Sequence, residues 1–376
     1  MKKTVISIFA VLSLVACNKG VQLEVSNSLP IDRNEELVEI SVAQLNYNPE
    51  ESHILVDADG KEINYQIMHY GQNVAQSIVF QASVSANSSA VYTWKKGTPK
   101  TFKAKTFARY VPERKDDFAW ENDKCAYRMY GPALADENPS NGVDIWLKRT
   151  PELVVDTFYH NELQLGQSYH VDHGKGLDCY KVGNKLGAGG IAPLAYDTLW
   201  VGKHYDRQEV IETGGLRSVF ALEYDSVRVG NAYFTQRIVI TADAGSQVNK
   251  AEVSYVGPTT VNMKLAAGIW LHSNIDNYRQ DFKNKWIAYA ENAVSDAGVP
   301  VGRNYIAAIV PDMTGAEIKD ETLLAYAPYT VGEKFTYYFG GGWSQWGYPT
   351  DEDWFAATNQ TALRLQSPLT VSVVNQ

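Results

Sequence analysis

Apolar residues at every second position dominate this chain. In "LRSVFALEYDSV", residues 216–227, Phe220, Leu222 and Tyr224 share one face. In "YFTQRIVITAD", 233–243, Phe234, Gln236, Ile238 and Ile240 share one face and Arg237 lies on the other. "NMKLAAGIWL", "KWIAYAE", "RNYIAAIVP" and "KFTYYFGGG" repeat the pattern. A period of two belongs to strands, and many such strands with one apolar face predict antiparallel neighbours. The expectation is an all-β protein.

The strands fall into two groups. "VQLEVSN", "LVEISVA", "HILVDADGKEINYQIM", "SIVFQASV" and "AVYTWKK" are short, with a hairpin turn expected at Asp59-Gly60. They predict a small N-terminal β-sandwich over residues 17–97. Residues 98–106, within the basic stretch "KGTPKTFKAKT", read as a linker. Residues 107–376 then form one large antiparallel domain. An antiparallel domain of that size needs two stacked sheets or a closed barrel. One helix is expected near the C-terminus, in "TDEDWFAATNQTALRLQ". Thr350 caps it, Asp353 completes a capping box, and Trp354 sits on its apolar face. "LTVSVV" is read as a last strand of the same large domain.

The first residues carry an address. Lys2 and Lys3 precede an apolar run from Val5 to Ala16, too short to span a bilayer and suited to a signal peptide over residues 1–16. It ends in "LVAC", which resembles a bacterial lipobox with Cys17 as the lipidated residue. A lipid anchor at Cys17 would hold the protein on a membrane. "CNKG" lacks an acidic run, which points to a periplasm-facing or outer-membrane lipoprotein. The formal net charge of −9 and the lack of a basic stretch to displace phosphate counterions argue against nucleic acid. Cys125 and Cys179 could pair in an oxidising compartment or remain two buried thiols.

Four segments, "RYVPERKDDFAWENDKCAYRMYGPAL", "GVDIWLKRTPELVVDTFYH", "YHVDHGKGLDCYKVGNKLGAGG" and "GWSQWGYPTDEDWFAAT", are distinctive. With them the chain resembles a family of uncharacterised Bacteroidetes lipoproteins found among polysaccharide-utilisation proteins. The strand pattern and "DFAWENDKCAYRMYG" make the large domain similar to the galactose-mutarotase-like β-supersandwich. That fold also hosts polysaccharide lyases and some glycosidases. The resemblance implies a carbohydrate context and supplies no reaction, because fold does not fix function.

The candidate site centres on "SYHVDHGKGLDCYKVG", residues 168–183. Tyr169, His170, His173, Asp178, Tyr180 and Lys181 crowd into it, with glycines that suit a loop. His and Tyr are apt bases and acids, and Lys or Arg can stabilise developing negative charge. A metal at His170 and His173 is conceivable, but no second ligand pair with finger-like spacing exists, so no cofactor is expected. "GNKLGAGGIAPLA" fits a loose dinucleotide fingerprint, yet Pro193 follows and no βαβ unit surrounds it. The charges of "VPERKDDFAWEND" are those of a solvated loop or of a carboxylate pair for glycoside hydrolysis. Within them Arg114 could grip a uronate carboxylate. Trp343 and Trp346, behind three glycines, could stack on sugar rings or pack at a seam.

These residues favour a carbohydrate-active enzyme on a uronate-containing glycan, a lyase working by β-elimination. A hydrolase or epimerase on the same scaffold, with Asp178 or an acid from 116–123, is the first alternative. A non-catalytic glycan-binding lipoprotein is the second.

Overall fold

The computed structural model describes residues 20–137, 142–272 and 277–374. The signal peptide and Cys17 lie outside the described residues. Strands dominate, as the period of two requires, and among the described residues five sheets carry the fold.

The largest sheet has eight strands. It runs from Arg207–Glu212 at one edge, through Arg217–Val229, Ala232–Asp243, Val248–Val256, Phe335–Trp343, Pro300–Ile309 and Trp286–Val294, to Tyr278–Asp281 at the other. Its ladders are antiparallel. Phe220, Leu222, Tyr224, Ile238 and Ile240 all point into one core. There they meet Phe118, Trp120 and Tyr127 from one five-stranded sheet, and Leu265, Ala267 and Leu323 from another. The result is sheet stacked on sheet, with an apolar layer between.

The other face of the large sheet is also covered. A helix near the C-terminus, which we call α2 (Asp351–Gln366), lays Trp354, Phe355 and Ala362 on Ala288, Tyr305 and Ala307. Its capping box is formed by Thr350 and Asp353. Towards the opposite edge, Met68 and Val79 of the N-terminal region pack on Leu216, Val219 and Ala244.

The N-terminal region holds a five-stranded and a three-stranded sheet around Leu23, Val38, Ile78, Phe80 and Trp94. Asp59 and Gly60 turn the hairpin between His53–Val56 and Glu62–Ile63. One correction concerns "LTVSVV". Thr370–Val373 does not stay with the large domain but pairs antiparallel with Val21–Asn27, Leu23 opposite Val373. The chain's last strand therefore completes the sheet that holds its first.

A second correction is an extra helix, α1 (Val155–Leu165), in the segment read only as part of the strand-rich large domain. No side chain of its own caps its start. The carboxylate of Glu121 does so from a distant strand, accepting from the backbone N–H of Val154 and of Val155, each at 2.7 Å. The same carboxylate takes Lys148 Nζ at 2.7 Å, and both side chains are wholly buried. Gly166, at φ 64°, closes the helix in the left-handed region where glycine costs nothing.

Candidate functional site

α1 covers the outer face of a five-stranded sheet, and the site lies under and beside it. Three of that sheet's strands are Asp117–Asn122, Ala126–Met129 and Val143–Lys148. Alternation sends Phe118, Trp120, Tyr127 and Ile145 into the main core. It sends Asp117, Arg128, Asp144 and Trp146 to the α1 side. Register then sets Arg128 directly opposite Asp144.

Arg128 is the hub of this buried face. Its Nε and Nη2 donate to Asp144 Oδ2 at 2.9 and 2.6 Å. Nη2 also donates to Asp178 Oδ2 at 2.9 Å, and Nη1 to the Tyr169 hydroxyl at 3.1 Å. Asp117 stands 3.4 Å from Nη1 and accepts from the Tyr159 hydroxyl at 3.2 Å. Arg114 joins from the edge, reaching Tyr169 and feeling the charge of Asp117, with its Nη1 buried and unbonded.

Three buried carboxyl groups thus share the buried guanidinium of Arg128, with half-buried Arg114 beside one of them, Asp117. Burial pushes the carboxyl of Asp178 well above the usual carboxylate range, and the like charge of Asp144 adds to it. Burial also raises Asp117 to about 6, against the pull of Arg128 and Arg114. Such a cluster holds a proton that an isolated carboxylate would have lost.

Asp178 links this cluster to the surface. Its backbone carbonyl accepts from His170 Nδ1 at 2.9 Å, and its carboxylate stands 3.6 Å from the same nitrogen. Asp296 approaches His170 Nδ1 at 3.7 Å from another loop and binds Lys181 Nζ at 2.5 Å. A carbonyl can only accept, so neutral His170 carries its proton on Nδ1. Its Nε2 lone pair meets no protein donor among the described residues, and the side chain is 28% exposed.

A cleft of about 370 Å³ is lined by Lys181, His272, Glu291, Asn292, Ser295 and Asp296, and Asp296 brings it next to His170, which is not itself part of the lining. His272 Nδ1 lies 2.6 Å from Glu291 Oε2, and its Nε2 lies 2.6 Å from the Lys181 carbonyl. Both partners are acceptors, so this ring donates twice and is an imidazolium. Its pKa is raised accordingly: burial opposes the charge, but the Glu291 carboxylate outweighs it. Asn304 fixes the other oxygen of Glu291 at 2.9 Å.

The sequence-derived residues separate into three groups. Tyr169, His170, Asp178 and Lys181 converge, with Arg114 joined to them through Tyr169. Tyr180 lies close by, edge-on to His272, but its hydroxyl is buried and unbonded. His173 turns back on its own loop, with Nε2 3.0 Å from the Ser168 carbonyl. Trp343 and Trp346 line a separate hollow with Lys148 and Tyr348.

Three expectations are corrected by these positions. Trp343 is 1% exposed and donates to the Val301 carbonyl, so it offers no face to a sugar. Arg114 faces Tyr169 and Asp117 rather than the cleft. Asp117 and Glu121 are buried on a strand, not solvated in a loop. Cys125 and Cys179 are both free and buried. Among the described residues no group of three or more His, Cys, Asp or Glu side chains converges as metal ligands would.

Sequence reasoning missed Arg128, Asp144, His272, Glu291 and Asp296. The available signal was the alternation of charge with aromatic residues in "DFAWEN", "AYRM" and "VDIW". It marks a sheet face that is polar and yet hidden.

A family model described as a domain of unknown function, DUF4861, matches residues 25–371. A curated relative, Uncharacterized protein P7 of Formosa agariphila, is 30% identical over 374 residues, covering 93% of each chain. Among solved structures, a glycosyl hydrolase family 38 protein from Enterococcus faecalis is similar with a TM-score of 0.53 at 11% identity. The match covers 95% of this chain and 48% of that one, and it shows a shared fold. An alpha-mannosidase from Enterococcus faecalis V583 matches at a TM-score of 0.48 and 9% identity, over 95% of this chain and 46% of that one. The chain spans about half the length of the solved proteins it matches.

Proposed function

The chain belongs to the DUF4861 family, and we propose that it acts on a glycan held in the cleft beside His170. One observation carries the reading: His170 commits Nδ1 to the Asp178 carbonyl, leaves Nε2 without a protein donor among the described residues, and stands 3.7 Å from Asp296, which lines a cleft that also holds Lys181 and His272. The fold shared with a glycosyl hydrolase family 38 protein is in keeping with a saccharide substrate.

The reaction that fits is β-elimination on a uronate. His170 Nε2 takes the proton from the carbon beside the sugar carboxylate. A carbon–carbon double bond forms as the bond to the leaving sugar oxygen breaks, and that oxygen takes the bonding electrons and a proton from solvent. The Asp178 backbone carbonyl and the Asp296 carboxylate stabilise the imidazolium that results. Lys181 and His272 bring positive charge to the wall where the carboxylate and the developing enolate would lie. Glu291 and Asp296 also line the cleft, which supports a second reading, hydrolysis or epimerisation by paired carboxyl groups. A lipid anchor at Cys17, holding the protein periplasm-facing, belongs to the same proposal.

The test is incubation of the full chain with polygalacturonate and alginate. Elimination yields unsaturated ends that absorb in the ultraviolet. Reducing ends without that absorbance would select hydrolysis. Neither product, with retardation on glycan affinity gels, would select a binding protein and overturn the catalytic reading.

A further inference from the structure

A second groove lies away from His170, between α2 and the turn 243–248. It encloses about 430 Å³ and is lined by Lys124, Gln247, Tyr348, Gln360 and Arg364 among others. It shares Lys124, Gln247 and Tyr348 with the hollow of about 110 Å³ beneath Trp346, so the two form one continuous depression.

Its charges are unevenly matched. The two carboxylates in the groove are already satisfied. Glu36 accepts from Arg33 Nε at 2.6 Å, and Asp243 accepts from Arg217 Nε and Nη2 at 2.6 and 2.7 Å. Lys148, in the hollow, is paired with Glu121. Lys124 and Arg364 meet no carboxylate among the described residues. Arg364 also keeps a buried Nε with no hydrogen-bond partner, and its Nη2 reaches only the Asp32 carbonyl, at 3.4 Å. A buried donor left unbonded costs free energy that a ligand acceptor would recover. In a chain of net charge −9 this groove thus presents two cations that no carboxylate among the described residues neutralises.

We infer that this groove is a second ligand site, for an anionic segment of a glycan, separate from the cleft at His170. Arg364 and Lys124 take the carboxylates, Gln360 and Asn34 take hydroxyls, and the aromatic edges of Tyr348 and Trp346 flank the sugar rings. That the ligand is a saccharide rests on the proposed function; that it is anionic rests on the groove alone. The site would hold a polymer while a distant part of it is processed.

The experiment measures retention of the full chain on affinity gels containing polygalacturonate, alginate or hyaluronan, with carboxyl-reduced polygalacturonate as the neutral control. Binding to at least one uronate polymer is expected, weakened by salt and at least tenfold weaker to the reduced polymer. K124Q with R364Q should lower it at least tenfold, and K124Q alone, at an exposed position, at least threefold. Melting temperatures check that each variant is folded. In an H170A background, where turnover in the cleft is removed, K124Q with R364Q should lower retention by the same factor as in the wild-type background, which separates the groove from the cleft. Equal binding of the reduced polymer, undiminished binding by the variants, or no binding to any of the three polymers would overturn the inference.

Discussion

His170 and Asp178 are joined twice: the ring Nδ1 lies 2.9 Å from the aspartate's carbonyl oxygen and 3.6 Å from its carboxylate. The same carboxylate oxygen, Oδ2, accepts from Arg128 Nη2 at 2.9 Å. Asp178 therefore connects a partly exposed imidazole to a buried ionic cluster, and several consequences can be measured.

Asp144 and Asp178 should substitute for each other as partners of Arg128. D178N costs about 1 kcal/mol, because burial already favours its neutral form and an amide oxygen still accepts from Arg128. D144N/D178N leaves Arg128 with Asp117 at 3.4 Å and costs about 3–5 kcal/mol, more than the single losses added. Urea unfolding of the two single variants and the double variant tests this; additive losses would contradict it.

Asp117 should make stability fall as the solution becomes less acidic. Its folded pKa, about 6, exceeds the ordinary 3.8, so its contribution is complete below pH 4 and lost as pH rises through 6. The loss is on the order of 3 kcal/mol. D117N should flatten the profile between pH 4 and 7 relative to wild type. An unchanged slope in the thermal midpoint against pH would show that Asp117 is already ionised.

His272 should be doubly protonated near neutrality. Its raised pKa gives stability present below the unfolded value of about 6.5 and lost as pH rises through the higher folded one. E291Q removes the carboxylate that holds the charge and should lower the midpoint. Nitrogen-15 shifts of the ring across a pH titration report both; a neutral ring at pH 6 in the wild type would refute the assignment.

Glu121 should matter to a helix that begins more than thirty residues later. E121A strips two backbone donors of α1 and leaves Lys148 buried without its partner. The expected cost is about 3–5 kcal/mol. Amide exchange at Val154 and Val155 should quicken most. E121Q keeps an acceptor for those amides and should protect them better than E121A.

That helix also marks the boundary of what sequence conveys. α2 is legible because Thr350 and Asp353 write its start locally. α1 is not, because its cap is contributed by Glu121 through the fold. The strands of the large sheet are legible because one face of each is apolar. The face carrying Arg128, Asp117 and Asp144 reads as wet and is instead roofed by α1. The strand read in "KFTYYFGGG" does run through Gly340 to Gly342 and carries on to Trp343. A Cβ on Gly340 would come within 2.1 Å of the Gln247 carbonyl, so close backbone approach is the glycine's purpose there. Trp343 follows that strand into the interior. The pairing of Thr370–Val373 with Val21–Asn27 spans nearly the whole chain and leaves no local trace.

The most direct measurement compares H170A and H173A for release of unsaturated uronate ends from the polymer the wild-type chain degrades. His173 lies in the same loop but faces the Ser168 carbonyl, so it controls for loop damage. The account predicts that H170A lowers kcat at least a hundredfold while H173A stays within about threefold of wild type. Full turnover by H170A, or equal loss in both variants, would contradict it.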